Sequence, residues 1–202
     1  MTWRVLLFVV ATMSAITAGV SPQRAGTAVP APTQAVRFTP PASLPDFVVA
    51  GTCTASEVAA FRTDAFRCAA KSTTYDPCFA TARTNRAWCG TDPRKPESWF
   101  LVEALLPANH MPIGTPTGHR VWFFELTDGS TCQPLPERGR EIEGAVEIYR
   151  CQFGSAGLAD AVLGDLDSTE PIWTVRKVLI NKKTEPQTIK SLTIAAVKTV
   201  WQ

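Results

Sequence analysis

The alternation of apolar and polar positions divides the chain into short strands separated by turn-forming residues. Val121-Trp122-Phe123-Phe124-Glu125-Leu126 is a β-branched and aromatic run of strand length. Behind it, Thr127-Asp128-Gly129-Ser130 carries the Asp-Gly pair that closes tight hairpins, so Thr131 to Leu135 is expected to return beside it. Phe47-Val48-Val49 reads as a first strand stopped by Gly51. Trp99 to Leu106 lies between Pro96 and Pro107 and reads as another. Ala145 to Cys151, Ala161 to Leu166, Trp173 to Ile180 and Thr188 to Trp201 complete the set, the last two joined by the polar stretch Asn181 to Gln187. The final run is apolar on both faces at its centre, with Leu192, Ile194 and Ala196 on one and Ala195 and Val197 on the other. That pattern predicts a central or doubly covered strand, with Lys190 and Lys198 at its flanks discouraging strand-to-strand aggregation.

One segment departs from the period of two. Thr54-Ala55-Ser56-Glu57 has the spacing of a capping box, and Val58, Phe61, Ala65 and Cys68 follow at helical intervals. A short helix is expected at 55–69. The fold class is therefore mainly β, an antiparallel sandwich or partly open barrel with one short helix near the N-terminal end of the domain.

The first 45 residues follow neither period. Residues 1–18 have Arg4 in a basic n-region, an apolar run from Val5 to Ile16 and a small-residue end at Ile16-Thr17-Ala18, which reads as a signal peptide. Gly19, Ser21, Pro22 and Gln23 end the apolar run short of the about 20 residues that a membrane-spanning helix needs. Residues 19–45, rich in Pro, Ala and Thr, read as an extended spacer, and 46–202 as one disulfide-bonded domain. A formal charge of +2 gives no field to attract nucleic acid, so a nucleic-acid partner is not expected. The charge is uneven along the chain. Residues 137–170 carry eight acidic and three basic side chains (−5), and residues 171–202 carry six basic and one acidic (+5). This reads first as charge pairing between strands and second as a basic face toward anionic envelope polymers.

Cysteine usage sets the chemistry. All six cysteines, Cys53, Cys68, Cys78, Cys89, Cys132 and Cys151, follow Gly51, and their spacing is too wide for the close pairs of a zinc site. Behind a secretory start they read as a disulfide framework, with no metal and no cofactor expected. Locality favours the sequential pairing Cys53–Cys68, Cys78–Cys89 and Cys132–Cys151. Asp76 precedes Pro77 and reads as a turn residue rather than a catalytic acid. His110 and His119 lie in or at the end of a Pro- and Gly-rich loop with no partner at motif spacing, which leaves a hydrolase without a recognisable site. Binding has more candidates. Trp88 and His119 could meet a ligand. Arg83 and Arg86 sit in the Cys78–Cys89 segment, the loop that a disulfide-framed protease inhibitor would present. Trp88 is expected to pack on that disulfide, and Trp99, Trp122, Trp173 and Trp201, in apolar strands, are expected in the core.

Several of these residues form longer motifs. Arg62-x-Asp64-Ala65-Phe66-Arg67-Cys68, Tyr75-Asp76-Pro77-Cys78-Phe79 and Asp128-Gly129-Ser130-Thr131-Cys132 resemble an uncharacterised family of exported bacterial disulfide-rich domains with R-x-D-A-aromatic-R-C and D-P-C-F runs. Glu57 to Phe61 departs from the Ser/Pro-rich stretch that members often carry after the first cysteine. The resemblance implies a fold and a bacterial, exported setting. It brings no reaction with it. The function expected from the sequence is a secreted, non-enzymatic extracellular or cell-envelope interaction domain. Its partner would be an envelope polysaccharide, peptidoglycan or a protein. A hydrolase with an unrecognised site and a protease inhibitor are the alternatives.

Overall fold

The computed structural model describes residues 30–40, 47–54, 59–60, 62–81, 85–107, 121–135, 139–152, 158–181 and 186–202. After a short strand β1 (Gln34–Val36), five strands follow: β2 (Val48–Thr54), β3 (Ala65–Ala70), β4 (Thr73–Ala80), β5 (Arg86–Cys89) and β6 (Phe100–Glu103). Each pairs antiparallel with the next, and β6 closes the barrel against β2 in parallel. The parallel joint follows from parity: in a meander with an odd number of strands the first and last run the same way.

The remaining strands are β7 (Phe123–Leu126), β8 (Thr131–Pro134), β9 (Glu141–Ile142), β10 (Ala145–Gln152), β11 (Leu158–Asp167), β12 (Thr174–Asn181) and β13 (Thr188–Trp201). They follow the path β13-β12-β11-β10-β8-β7, and β13 pairs back to β7. This makes a second ring, of six strands. An even number lets every joint be antiparallel, as each is. β9 forms a side hairpin with β10, and β1 adds in parallel to the end of β13.

Both rings are filled by side chains from every strand. Cys53, Cys68, Cys78 and Cys89 share the interior of the five-stranded barrel with Val49, Phe66, Ala70, Ala87 and Val102. In the six-stranded ring, Cys132 and Cys151 lie with Phe124, Leu126, Tyr149, Val162, Val175 and Val197. Side chains alternate across a strand, so the residues between these point outward. Ala65, Phe79, Trp88 and Leu101 form a row on the outside of the first barrel and pack against Phe38, Trp99, Trp122 and Phe123. That aromatic seam joins the two rings.

The mainly β class is observed; the expected helix is not. Residues 65–69 of the 55–69 segment belong to β3, and no α-helix occurs among the described residues. Cys68 stands directly opposite Cys53 in the β2–β3 ladder, a pairing that an extended backbone supplies. Residues 55–58 and 61 lie outside the described set. The segment expected to be a spacer also contributes to the fold. β1 pairs with Thr199–Trp201, and Phe38 is buried in the seam, its ring centre 4.5 Å from that of Trp99 and 5.4 Å from that of Trp122.

The last strand is only half as expected. From Val197 onward β13 is paired with β7, and its end also takes β1. From Thr188 to Ala196 β12 is its one strand partner among the described residues; the Ile189 amide donates to Glu143 Oε1 and the Ala196 carbonyl accepts from the Thr127 amide, and Leu192 and Ile194 are exposed. β7 ends at the Asp128-Gly129 hairpin, so it is too short to cover the earlier half.

Candidate functional site

The motif residues that stand out in the sequence prove to be joinery. Arg62 grips Asp64 through Nε and Nη2 at 2.8 and 2.6 Å, and donates through Nη1 to the carbonyls of Phe38 and Gln202 at 2.7 and 3.2 Å. Its guanidinium lies 4.4 Å from the centre of the Phe79 ring. One side chain thus ties the first barrel to the ends of the β1–β13 pair. Arg67 and Asp76 make the second joint. Phe66 pairs with Cys78 and Cys68 with Tyr75, so Asp76 and Pro77 together stand opposite Arg67 in a bulge. A bulge is where a strand tolerates a proline, which has no N–H for the ladder. The Asp76–Pro77 peptide is cis. The Asp76 side chain is 5% exposed and accepts from Arg67 Nε and Nη2 at 2.8 and 2.7 Å and from the Ala59 amide at 3.3 Å. It is a structural acid, though in a strand rather than a plain turn.

The cysteines form Cys53–Cys68, Cys78–Cys89 and Cys132–Cys151, each across directly opposed residues of neighbouring strands. The sulfurs of Cys68, Cys78 and Cys89 lie within 4.8 Å of one another, as three metal ligands would. They belong to two disulfides packed side by side, and all six cysteines are bonded.

Of the binding candidates, Trp88 is 4% exposed and sits in the seam between the rings. It does not pack on the Cys78–Cys89 bond, because Trp88 and Cys89 are consecutive in β5 and face opposite ways. No face of its indole is offered to a ligand. Trp99 and Trp122 are buried as expected, and Trp173 and Trp201 partly so. Arg86 lies in β5 with its Nη2 3.6 Å from Glu103, and its Nε is buried with no acceptor among the described residues. Arg83, His110 and His119 lie outside the described residues. The Cys78–Cys89 segment is therefore largely barrel wall, with both flanks in strands.

A concave surface appears elsewhere, at one mouth of the six-stranded ring. A cavity of about 280 Å³ is lined there by Asp128, Asp160, Lys177, Ser191 and Thr193 among others. Strand alternation places Lys177 of β12 on the inward face with Val175, where it reaches the mouth instead of the apolar interior. Its ammonium group donates to Asp128 Oδ2 at 2.8 Å and to Ser130 Oγ at 3.0 Å, and lies 3.0 Å from Asp160 Oδ2. All three ammonium donors are occupied. Burial alone would raise the Asp128 carboxyl. The hydrogen bonds from Lys177 and from the Ser130 hydroxyl and amide more than reverse this, bringing it down to about 2. Burial would lower Lys177, and its two carboxylate partners instead hold it above the ordinary lysine range.

This cluster sets an expected pH dependence. Asp128 titrates lower in the folded chain than its ordinary 3.8, so its contribution is full above that value and is lost as pH falls through about 2. Stability should fall between these pH values, and Asp128→Asn should flatten the fall. Urea midpoints of both proteins from pH 5 to pH 2 check this; parallel curves would count against it. Half of the Asp128 side chain is exposed, so the effect should be small and salt-sensitive.

Sequence reading missed this cluster as a site but held its signal. Asp160 lies in the acidic segment and Lys177 in the basic one, on neighbouring strands β11 and β12. The opposed charges of the two segments are in part this pairing. The same mouth opens on the first half of β13, which supplies Ser191 and Thr193. Mouth and edge form one continuous surface: fixed ions, two hydroxyls, and the exposed side chains of Leu192 and Ile194 on the other face of the strand.

The chain matches no family model, no curated protein and no solved structure.

Proposed function

We propose that this chain is a secreted, non-enzymatic interaction domain of the bacterial extracellular space or cell envelope. One observation carries the reading. The ionic groups at the concave mouth are spent on one another: Lys177 is kept charged by Asp128 and Asp160, and Asp128 is kept ionised. Groups so tied hold a surface in shape. They are poorly suited to accept or donate a proton near neutral pH, which general acid–base chemistry requires. Three buried disulfides with no free thiol favour an oxidising compartment and leave no cysteine nucleophile. No helix of the described residues is long and apolar enough to cross a membrane. The signal-like residues 1–18 and the resemblance of the Arg62–Cys68 and Tyr75–Phe79 runs support export by a bacterium.

The test is expression from the natural start in a bacterial host, followed by intact mass and thiol counting on the exported, denatured protein. The expected product lacks residues 1–18, carries the mass deficit of three disulfides and has no reactive thiol. It should leave a panel of ester, peptide and glycoside substrates unchanged. Retention inside the cell with free thiols, or turnover abolished by Lys177→Ala, would overturn the reading.

A further inference from the structure

The cavity at the mouth of the six-stranded ring has a wall with one chemical bias. Leu179 stands opposite Ser191 and Lys177 opposite Thr193, so these four side chains share the inward face of the β12–β13 pair. Ala195 continues that face, and Asp160 of β11 and Asp128 of the β7–β8 turn complete the lining. The volume, about 280 Å³, lies just under the range of about 300–1,000 Å³ usual for small-molecule sites. It has room for one ring rather than a chain.

The inventory of donors and acceptors selects the ligand. Lys177 is the one cation in the lining, and its three N–H groups are committed to Asp128, Asp160 and Ser130. Spent on one another as ions, the carboxylates still accept hydrogen bonds. Asp160 receives Lys177 and no other donor among the described residues, which leaves open most of the about four acceptor positions of a carboxylate. Ser191 and Thr193 are exposed, and their hydroxyls have no partner among the described residues. The wall is thus rich in acceptors and has no side-chain N–H to spare. An anion would meet two carboxylates and no free cation. An ammonium ion would be drawn by the one net negative charge of Asp128, Asp160 and Lys177. It would also surrender hydration beside Lys177, at an open mouth where salt screens the attraction. Neutral hydroxyls donate to Asp160 and exchange hydrogen bonds with Ser191 and Thr193 without shedding an ionic shell. Leu179 and Ala195, on the same face, suit the C–H side of a sugar ring. We infer that this mouth binds a neutral sugar ring, held by Asp160, Ser191 and Thr193, with Lys177 fixing the carboxylates in place. This rests on the reading of the chain as an interaction domain and gives that domain its partner class, a saccharide.

The test is an amide NMR titration of the oxidised, exported protein with glucose, galactose, mannose and N-acetylglucosamine. Glucosamine, at about pH 6 where its amine is charged, and glucuronate serve as the matched cation and anion. At least one neutral ring should shift the amides of residues 128–130, 160, 177–179 and 191–195 along one saturable curve. Both charged rings should bind more weakly than that ring, glucuronate by about tenfold or more. Ser191→Ala with Thr193→Val should weaken the neutral ring about tenfold and leave the circular dichroism spectrum unchanged. Asp160→Asn is the second variant and should weaken it also, which keeps the test decisive if either variant fails to fold. Absence of binding by every neutral ring, shifts confined to another surface, a charged ring that binds as tightly, or full affinity in a folded variant would each overturn the inference. Correct export, three disulfides and absence of turnover would stand through any of these. Cleavage of a glycoside would instead overturn the non-enzymatic reading, so the two failures are distinguishable.

Discussion

Trp122→Ala should lower the unfolding free energy by about 3–5 kcal/mol, the cost of emptying a large aromatic site in a packed core. Trp122 precedes β7, is 1% exposed, and lies where the two rings meet. Its ring centre is 5.4 Å from Phe38, 5.6 Å from Phe79, 6.1 Å from Trp99 and 6.0 Å from Phe123. These neighbours come from both rings, so no single strand can shift to fill the void. Urea unfolding followed by far-ultraviolet circular dichroism measures the loss; in a chain of this size it should lower the thermal midpoint by about 10 °C or more. Trp122→Phe is the control. It keeps an aromatic ring in the seam and removes an indole N–H that finds no acceptor among the described residues. It should lose less than half as much. Equal losses in the two variants would show that the seam does not depend on the bulk of the indole.

The strands from Phe123 onward, the two-residue β9 apart, were legible because they carry both an alternating pattern and a turn signature. Asp128-Gly129 marks the β7–β8 hairpin, and Gly129 takes the positive φ of 83° that such a turn requires. The first barrel was harder to read. β3 and β4 are joined by Lys71-Ser72, two residues at positive φ without the Asn or Gly that usually marks a two-residue turn. With that joint silent, Ala65 and Cys68 could pass for a helical face, and Pro77 argued against a strand that a bulge in fact accommodates. β1 was missed because Gln34-Ala35-Val36 is short, lies among prolines and joins its neighbour only through the far end of the chain.

The candidate site was less legible than the fold, for a different reason. Aromatics and histidines attract attention in a sequence, yet whether an indole faces a ligand depends on which side of its strand it takes. Trp88 and Cys89 are parted by that alternation alone: the cysteine enters the barrel, where it forms the expected disulfide, and the tryptophan enters the seam. The exposed edge at Leu192 and Ile194 looked like a doubly covered strand because both faces are apolar. Its exposure depends on where β7 ends, which residues 188–196 do not encode.

Removing the disulfides should have the largest effect of all. Each closes a short loop, with sequence separations of 15, 11 and 19 residues. Limiting the unfolded chain in this way contributes about 3 kcal/mol per bridge, or about 9 kcal/mol together on the chain-entropy account. That is comparable with the whole stability of an ordinary domain, about 5–15 kcal/mol. The packing works in the same direction. Cys68, Cys78, Cys89 and Cys132 are wholly buried and occupy ring interiors otherwise lined in part by alanines, so the sulfurs are a substantial part of what fills them. Cys78→Ala with Cys89→Ala should therefore lose about 3–5 kcal/mol, entropy and void together. Full reduction under mild denaturing conditions should unfold both rings, read as loss of the β signal and of the near-ultraviolet tryptophan signal. A reduced protein that keeps both signals, with a thermal midpoint close to that of the oxidised one, would show that the aromatic seam and the ladders suffice without the bridges.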